Sequence, residues 1–430
     1  MGNTGWKTMI RVLTEASALP KDLKMPEGVV YLDNHSTTRV DPRVVDTVAP
    51  FLTEMYGNAG SVSHAFGWEA RDAVEKATAA VAAAVGAKPK EIVFTSGATE
   101  SNNLAIRGIV ESPRRKGNHL LSVATEHRAV LDPLRRLARH GCELTLLTPA
   151  PAGRSDAGRL DLQQVAEALR DDTVLVSVML ANNEIGAIHP IAEIAAVCRA
   201  HGVPLHCDAT QGVGRIPVDV EALGVDLMSF SGHKIYGPRG MGLLYVRRRS
   251  PPLRIEPQMT GGGQQHGLRS GTLNVPGIVG LAKALELCRE ELLHEMPRLA
   301  ALRQQLWTGL REKLDGLTLN GPQLDRTDWR LPGNLNVAFD GVDGEALMLS
   351  MPGLAVSSGS ACSAAEPEPS HVLRALGMAD DVVRSSLRFG LGRFTTESEI
   401  LFAIEVIAEA VTRLRGLSSM GFPAQVERST

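Results

Sequence analysis

Residues 227–237 have the sequence LMSFSGHKIYG, in which a short apolar run ends in small and hydroxyl residues around Lys234. A similar run precedes Asp208 in LHCDATQ, residues 205–211. From about residue 43 to 290, such runs alternate with helix-like segments, which predicts an α/β fold with a mostly parallel, helix-covered sheet. Ligands bind beyond the carboxyl ends of strands in these sheets, so the polar residues after each run are the candidate site.

The length of the chain predicts two domains. It has 430 residues, 43% of them hydrophobic, whereas a single core stops growing at roughly 250–300 residues. Two long helical segments are predicted at 276–292 and 294–315, and the pattern after them is typical of a smaller α+β domain. We expect an N-terminal extension at 1–28, a large domain at 39–290, and a small domain formed by 29–38 with 291–430.

Composition excludes several classes of function. The 45 Lys and Arg residues nearly balance the 48 Asp and Glu residues, so nothing indicates direct binding of nucleic acid or an anionic membrane. No segment approaches 18 uninterrupted apolar residues. The five cysteines are widely spaced and form no CxxC pair, which argues against a disulfide framework and a structural zinc site and favours a reducing compartment such as the cytoplasm.

The turn TSGATE at residues 95–100 lies between a strand-like run and a helix-like segment. Small residues allow a ligand to approach the backbone, and a helix N-terminus attracts an anion such as phosphate. The chain has neither GxGxxG nor GxxxxGK[ST], so the dinucleotide and P-loop interpretations have no support from a motif. A plain helix cap explains this turn equally well when the turn is taken alone.

Three further residues follow strand-like runs and carry ionisable side chains. Lys234 is a candidate Schiff-base amine, because desolvation and neighbouring cations make a lysine nucleophilic; the alternative is a surface lysine. The Asp208 carboxylate could keep a ring nitrogen protonated, or it could cap a helix. His127 could stack on an aromatic cofactor or act as an acid and base, or it could be structural.

Cys362 lies in SSGSACS, residues 357–363, and is followed by the sequence EPEP at 366–369. This composition predicts an exposed, mobile loop. Reactive thiols need exposure, whereas structural cysteines are buried among apolar side chains. The other four cysteines lie in helix-like or strand-like stretches, which favours packing.

Together these motifs resemble the NifS/IscS-type cysteine desulfurases, which belong to the class V aminotransferase family of fold-type I enzymes that use pyridoxal 5′-phosphate (PLP). The resemblance covers roughly residues 29–415. The segments that carry it are YLDNHSTT at 31–38, TSGATESNN at 95–103, EHRAVLD at 126–132, NNEIG at 182–186, DATQ at 208–211, SFSGHKIYG at 229–237, RSGT at 269–272, SSGSAC at 357–362 and RFGLGRFT at 388–395.

The resemblance implies a role for each matching residue. Lys234 would bind the cofactor covalently and act in catalysis with His127 and Cys362. The other cofactor contacts that it implies are Asp208 at the ring nitrogen, His127 on the ring, Asn183 and Gln211 at the ring hydroxyl, Ala98, Thr99, Ser231 and His233 near the phosphate, and Thr272 reaching the phosphate of the neighbouring subunit. Arg388, with Asn34 and Asn183, would bind the substrate.

The implied function is conversion of L-cysteine to L-alanine by a homodimer with shared active sites, leaving a persulfide on Cys362. An acceptor protein, such as an iron–sulfur scaffold or a thiolation enzyme, would then take the sulfur. A selenocysteine lyase or another fold-type I aminotransferase is the alternative, and an aminotransferase would not need Cys362. A non-catalytic protein that keeps the fold would bind no cofactor.

Overall fold

The computed structural model describes residues 28–113, 117–358 and 369–419. For residues 418 and 419 it describes the backbone only. The strands, in chain order, are β1 (Val30–Tyr31), β2 (Ile92–Thr95), β3 (His119–Val123), β4 (Glu143–Leu147), β5 (Thr173–Ser177), β6 (Leu205–Asp208), β7 (Leu227–Ser231), β8 (Gly242–Val246), β9 (Leu317–Leu319), β10 (Asn334–Phe339), β11 (Leu354–Ala355) and β12 (Ser386–Gly390).

Helices cover the sheets that these strands form. In chain order they are α1 (Pro42–Val48), α2 (Pro50–Thr53), α3 (Ala65–Ala84), α4 (Ala98–Val110), α5 (Arg128–Arg139), α6 (Leu162–Ala168), α7 (Ile191–Ala200), α8 (Val220–Leu223), α9 (Val275–Lys313), α10 (Gly344–Leu349), α11 (His371–Ala375), α12 (Asp380–Arg384) and α13 (Glu397–Ser419). In the part of the chain that the structure describes, none of the helices combines the length and apolar character needed to cross a membrane.

The large sheet has seven strands in the order β2-β8-β7-β6-β5-β3-β4. Only β8 runs antiparallel to its neighbours, β2 and β7; the remaining pairs are parallel. Every residue of β7 is buried, as expected for a strand covered by helices on both faces. The α/β fold class with a mostly parallel sheet is therefore confirmed.

A second, smaller group of strands has its own core. Strands β12, β10 and β9 form an antiparallel sheet, and β1 pairs in parallel with β11. Phe339 and Phe389 pack edge to face in this core, which Leu306 of α9 and Ile407 of α13 also enter. We propose the two predicted domains on the basis of these separate cores.

Helix α9 corrects one expectation from the sequence. Two helices were predicted, at 276–292 and 294–315, but Val275–Lys313 is one continuous helix with Pro297 inside it. Its first half buries Leu281 in the core of the large sheet, and its second half buries Leu310 in the core of the small one. Burial along the whole helix outweighs the loss of a backbone hydrogen bond at one proline. The boundary expected at residue 290 falls inside this helix.

Strand β8, which pairs with the edge strand β2, supports the turn before α4. Gly242 pairs with Thr95 of β2, and a Cβ atom on Gly242 would lie 2.4 Å from the Cα atom of Gly97. Backbone atoms cannot yield as a flexible side chain does. Position 242 therefore requires glycine if the turn at residues 95–98 is to keep its place at the edge of the sheet.

We expect the substitution Gly242→Ala to destabilise the protein by about 1–3 kcal/mol, because the added methyl group overpacks the contact with Gly97. Gly416→Ala is the matched control, since nothing lies within 4 Å of a Cβ atom at that helical position. The midpoint of thermal unfolding should fall clearly for the first variant and not for the second. Equal unfolding midpoints for the two variants would contradict the proposed overpacking of Gly242 against Gly97.

Candidate active site

A cavity of about 440 Å³ at the carboxyl ends of the large-sheet strands brings most of the predicted site residues together. The predicted residues on its wall are Ala98, Thr99, His127, Asn183, Asp208, Gln211, Ser231, His233, Lys234 and Arg388. Asn34 and Thr272 are not on this wall. Cys362 lies outside the residues that the structure describes.

One end of the cavity is a cradle for an anion. Helix α4 begins after Gly97, which offers no side chain to cap the first turn, so the first backbone N–H groups of the helix remain available to a ligand. Ser231 and His233 face the same space. Burial, with the charges of Lys234 and Arg239 next in order, lowers the pKa of His233 to about 4, so its imidazole is neutral and can donate a hydrogen bond.

The buried carboxylate of Asp208 lies at the end of β6. It accepts hydrogen bonds from Nδ2 of Asn102 at 2.7 Å and from the backbone N–H of Thr210 at 3.0 Å, and within the described chain it forms no ion pair. No α-helix begins at this position, so the interpretation of Asp208 as a helix cap is not supported. An uncompensated buried carboxylate suits a protonated ring nitrogen.

Two further polar atoms on the cavity wall have unmet hydrogen bonds. The Oδ1 atom of Asn102 and the Oγ1 atom of Thr210 are buried and find no partner among the described residues. Buried polar atoms are normally paired, because leaving one unpaired costs about 1–3 kcal/mol. This part of the wall, beside Asp208, therefore fits a polar ligand.

Lys234 follows β7 in a short 3₁₀ turn, Gly232–Lys234. Its Nζ atom donates to the carbonyl oxygen atoms of His35 at 2.7 Å and of Ser36 at 2.5 Å. Both acceptors belong to the loop after β1, so the small group of strands helps to place the amine of a residue from the large sheet.

His127 caps the start of α5, and its Nδ1 atom accepts the backbone N–H of Ala129 at 3.0 Å. Burial lowers its pKa even though the charge of Asp208 raises it, and Lys234 lowers it further. The ring is therefore neutral near pH 7. Because Nδ1 is occupied, the proton is on Nε2, and only Nε2 can exchange a proton with a ligand.

Arg388 of β12 presents a buried guanidinium group to the cavity. Its Nη2 atom donates to Oδ1 of Asp33 at 2.8 Å and to Oγ of Ser36 at 2.7 Å, while Nη1 donates to the carbonyl oxygen of Asn183 at 3.2 Å. The Nε atom has no partner among the described residues. A guanidinium group with a donor to spare fits a carboxylate ligand.

The remaining predicted residues lie in different places. The side-chain amide of Asn34 donates to the carbonyl oxygen of Gly390 at 2.9 Å. Thr272 is exposed. Gln211 lies on the cavity wall and donates to the carbonyl oxygen of His35 at 2.9 Å.

Sequence reasoning missed two buried carboxyl groups near the site. Burial, with the charge of Asp208 second, raises the pKa of Glu126 well above its usual range. Burial also raises the pKa of Glu184 to about 7. Each adjoins a predicted residue, His127 or Asn183, so the signal available was a carboxyl group inside a motif of the site.

Comparison with known proteins agrees with this geometry. The family model for Aminotransferase class-V matches residues 30–401. Cysteine desulfurase IscS of Anaeromyxobacter sp. (strain K) is 54% identical over 398 residues, which cover 93% of this chain and 95% of that protein.

Solved structures show the same similarity. A NifS-like protein superposes with a TM-score of 0.81 at 36% identity, over 90% of this chain and 100% of the other. A structure of SspA in complex with cysteine superposes with a TM-score of 0.72 at 33% identity, over 85% and 99% of the two chains. Since the similarity extends over nearly the whole chain, this protein belongs to the class-V aminotransferase family and, within it, to the cysteine desulfurases of the NifS/IscS type.

Proposed function

We propose that this protein uses PLP to convert L-cysteine to L-alanine and that the sulfur remains as a persulfide on Cys362. The observation that carries the proposal is that Lys234, Asp208, His127 and Arg388 line one cavity. A lysine amine, a buried carboxylate and a neutral imidazole are the groups that this cofactor needs. The relative named cysteine desulfurase and the SspA structure with cysteine support cysteine as the substrate.

The wall of the cavity fits the cofactor, since it combines an anion cradle with buried polar atoms that lack partners. We assign the ring nitrogen to Asp208, the face of the ring to His127, and the aldehyde carbon to Lys234. The other contacts proposed are Ala98, Thr99, Ser231 and His233 for the phosphate, Asn183 and Gln211 for the ring hydroxyl, and Thr272 of the partner subunit for the phosphate. When bound, PLP supplies an electron-accepting ring that stabilises negative charge at the substrate Cα atom.

The residues of the chain then bind the substrate and move its protons. Arg388 holds the substrate carboxylate through the donor that its own contacts leave unused, and Asn34 and Asn183 complete this end of the site. The amine of Lys234 removes the Cα proton and later returns a proton. The Nε2 atom of His127 is the second group that can give or take a proton of the substrate. Its Nδ1 atom already accepts the backbone N–H of Ala129.

Described residues on both sides of Cys362 contact the backbone of residues that lie on the cavity wall or next to it in sequence. On one side, the backbone N–H of Arg388 donates to the carbonyl oxygen of Ser357 at 2.6 Å. On the other, Nε2 of His371 lies 2.9 Å from the carbonyl oxygen of Glu126, beside His127. This anchoring supports the role of Cys362 as the residue that receives sulfur.

Transfer of the sulfur exchanges one bond for another. The Cys362 thiolate forms a bond to the substrate sulfur while the carbon–sulfur bond breaks. The electron pair of the broken bond stays on carbon, which takes a proton to become the methyl group of alanine. Substrate and enzyme thiol together thus yield alanine and a persulfide, with no further oxidant or reductant.

We also propose a homodimer with shared active sites. Tyr56 and Val62 are 67% and 68% exposed, and the rings of Tyr56 and Phe66 lie 5.3 Å apart, so large apolar side chains form a surface patch. Such patches mark protein interfaces. Thr272 is exposed outside its own cavity, as a residue that serves the partner subunit would be.

The persulfide would be passed to an acceptor protein, an iron–sulfur scaffold or a tRNA thiolation enzyme. We propose the cytoplasm as the location. The cysteines that the structure describes, Cys142, Cys198, Cys207 and Cys288, are buried thiols and not disulfides, which suits a reducing compartment.

An assay with L-cysteine tests the proposed function. Alanine and sulfide should form in equal amounts in the presence of a thiol, and mass mapping after one turnover should find the persulfide on Cys362 alone. The substitution Lys234→Ala should abolish both products. It should also prevent the covalent attachment of PLP that is otherwise seen after reduction with borohydride. Cys362→Ala should keep that bond and lose sulfide release.

Cys142→Ala is the matched control for Cys362→Ala, because Cys142 is a buried thiol outside the cavity. Sulfide release that survives Cys362→Ala would overturn the desulfurase proposal in favour of another fold-type I enzyme. A preparation that binds no PLP would overturn the enzymatic proposal altogether.

We expect Arg388→Lys to raise the KM for L-cysteine by about 10- to 100-fold, because lysine keeps the charge but loses the planar set of donors. Arg303→Lys is the control: Arg303 is equally buried but donates to the carbonyl oxygens of Leu324 and Leu331, away from the cavity. It should lower stability and leave KM unchanged. Steady-state kinetics that show the same KM for both variants would contradict the assignment.

Glu184 should make stability depend on pH. Its pKa is raised to about 7 by burial, so its contribution to stability is complete below its unfolded value of about 4.5 and is lost as the pH rises through 7. We expect Glu184→Gln to gain stability relative to the wild type between about pH 5 and about pH 8. Thermal unfolding midpoints measure this, with exposed Glu345→Gln as the control. Parallel pH curves for wild type and Glu184→Gln would contradict it.

A further inference from the structure

We propose that Arg269 is a positioning residue of the phosphate cradle: it neutralises Glu100, so that the start of α4 keeps the positive potential that a phosphate needs. This inference rests on the function proposed above, because it concerns how the same cavity holds PLP. It joins two motifs, TSGATE and RSGT, whose charged residues have no role in the chemistry described so far.

The geometry of the pair is that of a two-point ion pair. Nε of Arg269 donates to Oε1 of Glu100 at 2.8 Å, and Nη2 donates to Oε2 at 3.3 Å. The two side chains are 21% and 18% exposed, so solvent screens them only in part. The backbone N–H of Ser96 donates to Oε2 of Glu100 at 2.7 Å, which fixes the carboxylate against the turn.

Glu100 lies on the wall of the cavity, in the first turn of α4, where a phosphate would bind. An acidic residue there stabilises the helix, but its charge opposes a bound anion. Burial alone would raise the pKa of Glu100, yet the hydrogen bonds from Arg269 and Ser96 hold it below its usual value. Glu100 is thus ionised at neutral pH, and in the described part of the chain the cation paired with it is Arg269.

Contacts other than this ion pair hold the segment that carries Thr272 against the cradle of its own subunit. The backbone of Arg269 forms an isolated parallel β-bridge with that of Met259. The Oε1 atom of Gln265 accepts the backbone N–H of Phe94, in the strand before the cradle, at 2.8 Å. Thr272, expected to reach the partner's phosphate, follows Arg269 by three residues. Neither contact involves the guanidinium group of Arg269, so both hold the segment with Thr272 in place when the charge of Arg269 is removed.

A comparison of two ligands tests the role of the charge. The full-length protein is freed of cofactor, and the dissociation constants of PLP and of pyridoxal, which lacks the phosphate, are measured by absorbance. We expect Arg269→Gln to weaken PLP binding about tenfold, equivalent to ~1.4 kcal/mol, with little change for pyridoxal. The double variant Glu100→Gln/Arg269→Gln should bind PLP nearly as tightly as the wild type, since the uncompensated charge is then gone.

The outcomes separate this inference from the proposed function. A wild-type protein that binds no PLP would overturn the proposed function itself. A wild type that binds PLP, with a double variant as weak as Arg269→Gln, would overturn the charge argument alone, because a merely structural role predicts no rescue. Equal weakening for PLP and pyridoxal would do the same. Rescue confined to PLP supports the inference even if Arg269→Gln is less stable than the wild type.

Discussion

The site depends on the hydrogen bonds by which the amine of Lys234 is held to the carbonyl oxygens of His35 and Ser36. Lys234 belongs to the large sheet, whereas the loop after β1 is attached to the smaller group of strands through the pairing of β1 with β11. Arg215 reinforces the contact, since its Nη2 atom donates to the carbonyl oxygens of both Asn34 and Lys234. The amine of Lys234 is therefore in this position only when the two cores are correctly packed.

The contact between Lys234 and the loop after β1 also depends on a neutral imidazole at His35. Its Nδ1 atom lies 2.7 Å from Nη1 of Arg215, which can only donate, and 3.0 Å from Oε1 of Gln211. Burial, and then the charges of Arg215 and Arg388, lower the pKa of His35 well below its usual range. A charged imidazole there would face two guanidinium groups and push the loop that holds Lys234 out of place.

The grouping of the predicted residues around one cavity could be predicted from sequence because several of them lie at the ends of strands within short motifs. Lys234 and Asp208 each end or follow a strand, and parallel strands bring such ends to one edge. The pairing of Arg388 with Asp33 could not be predicted in this way, since it joins residues 355 positions apart through tertiary packing. The continuous helix α9 was missed for the same reason: two separate cores stabilise it, and neither is visible in local pattern.

Two buried carboxyl groups, those of Glu126 and Asp208, lie near each other beside the cavity and have different surroundings. Burial, with the charge of Asp208 second, raises the pKa of Glu126 well above its usual range, which favours its protonated form, and its Oε1 atom accepts the backbone N–H of Met179. Two anions at this depth would repel each other strongly, whereas one protonated carboxyl leaves a single negative charge in the region. Asp208 accepts hydrogen bonds from two donors on the cavity wall, the side chain of Asn102 and the backbone N–H of Thr210. The raised pKa of Glu126 thus favours Asp208 as the anion for the ring nitrogen that we propose beside it.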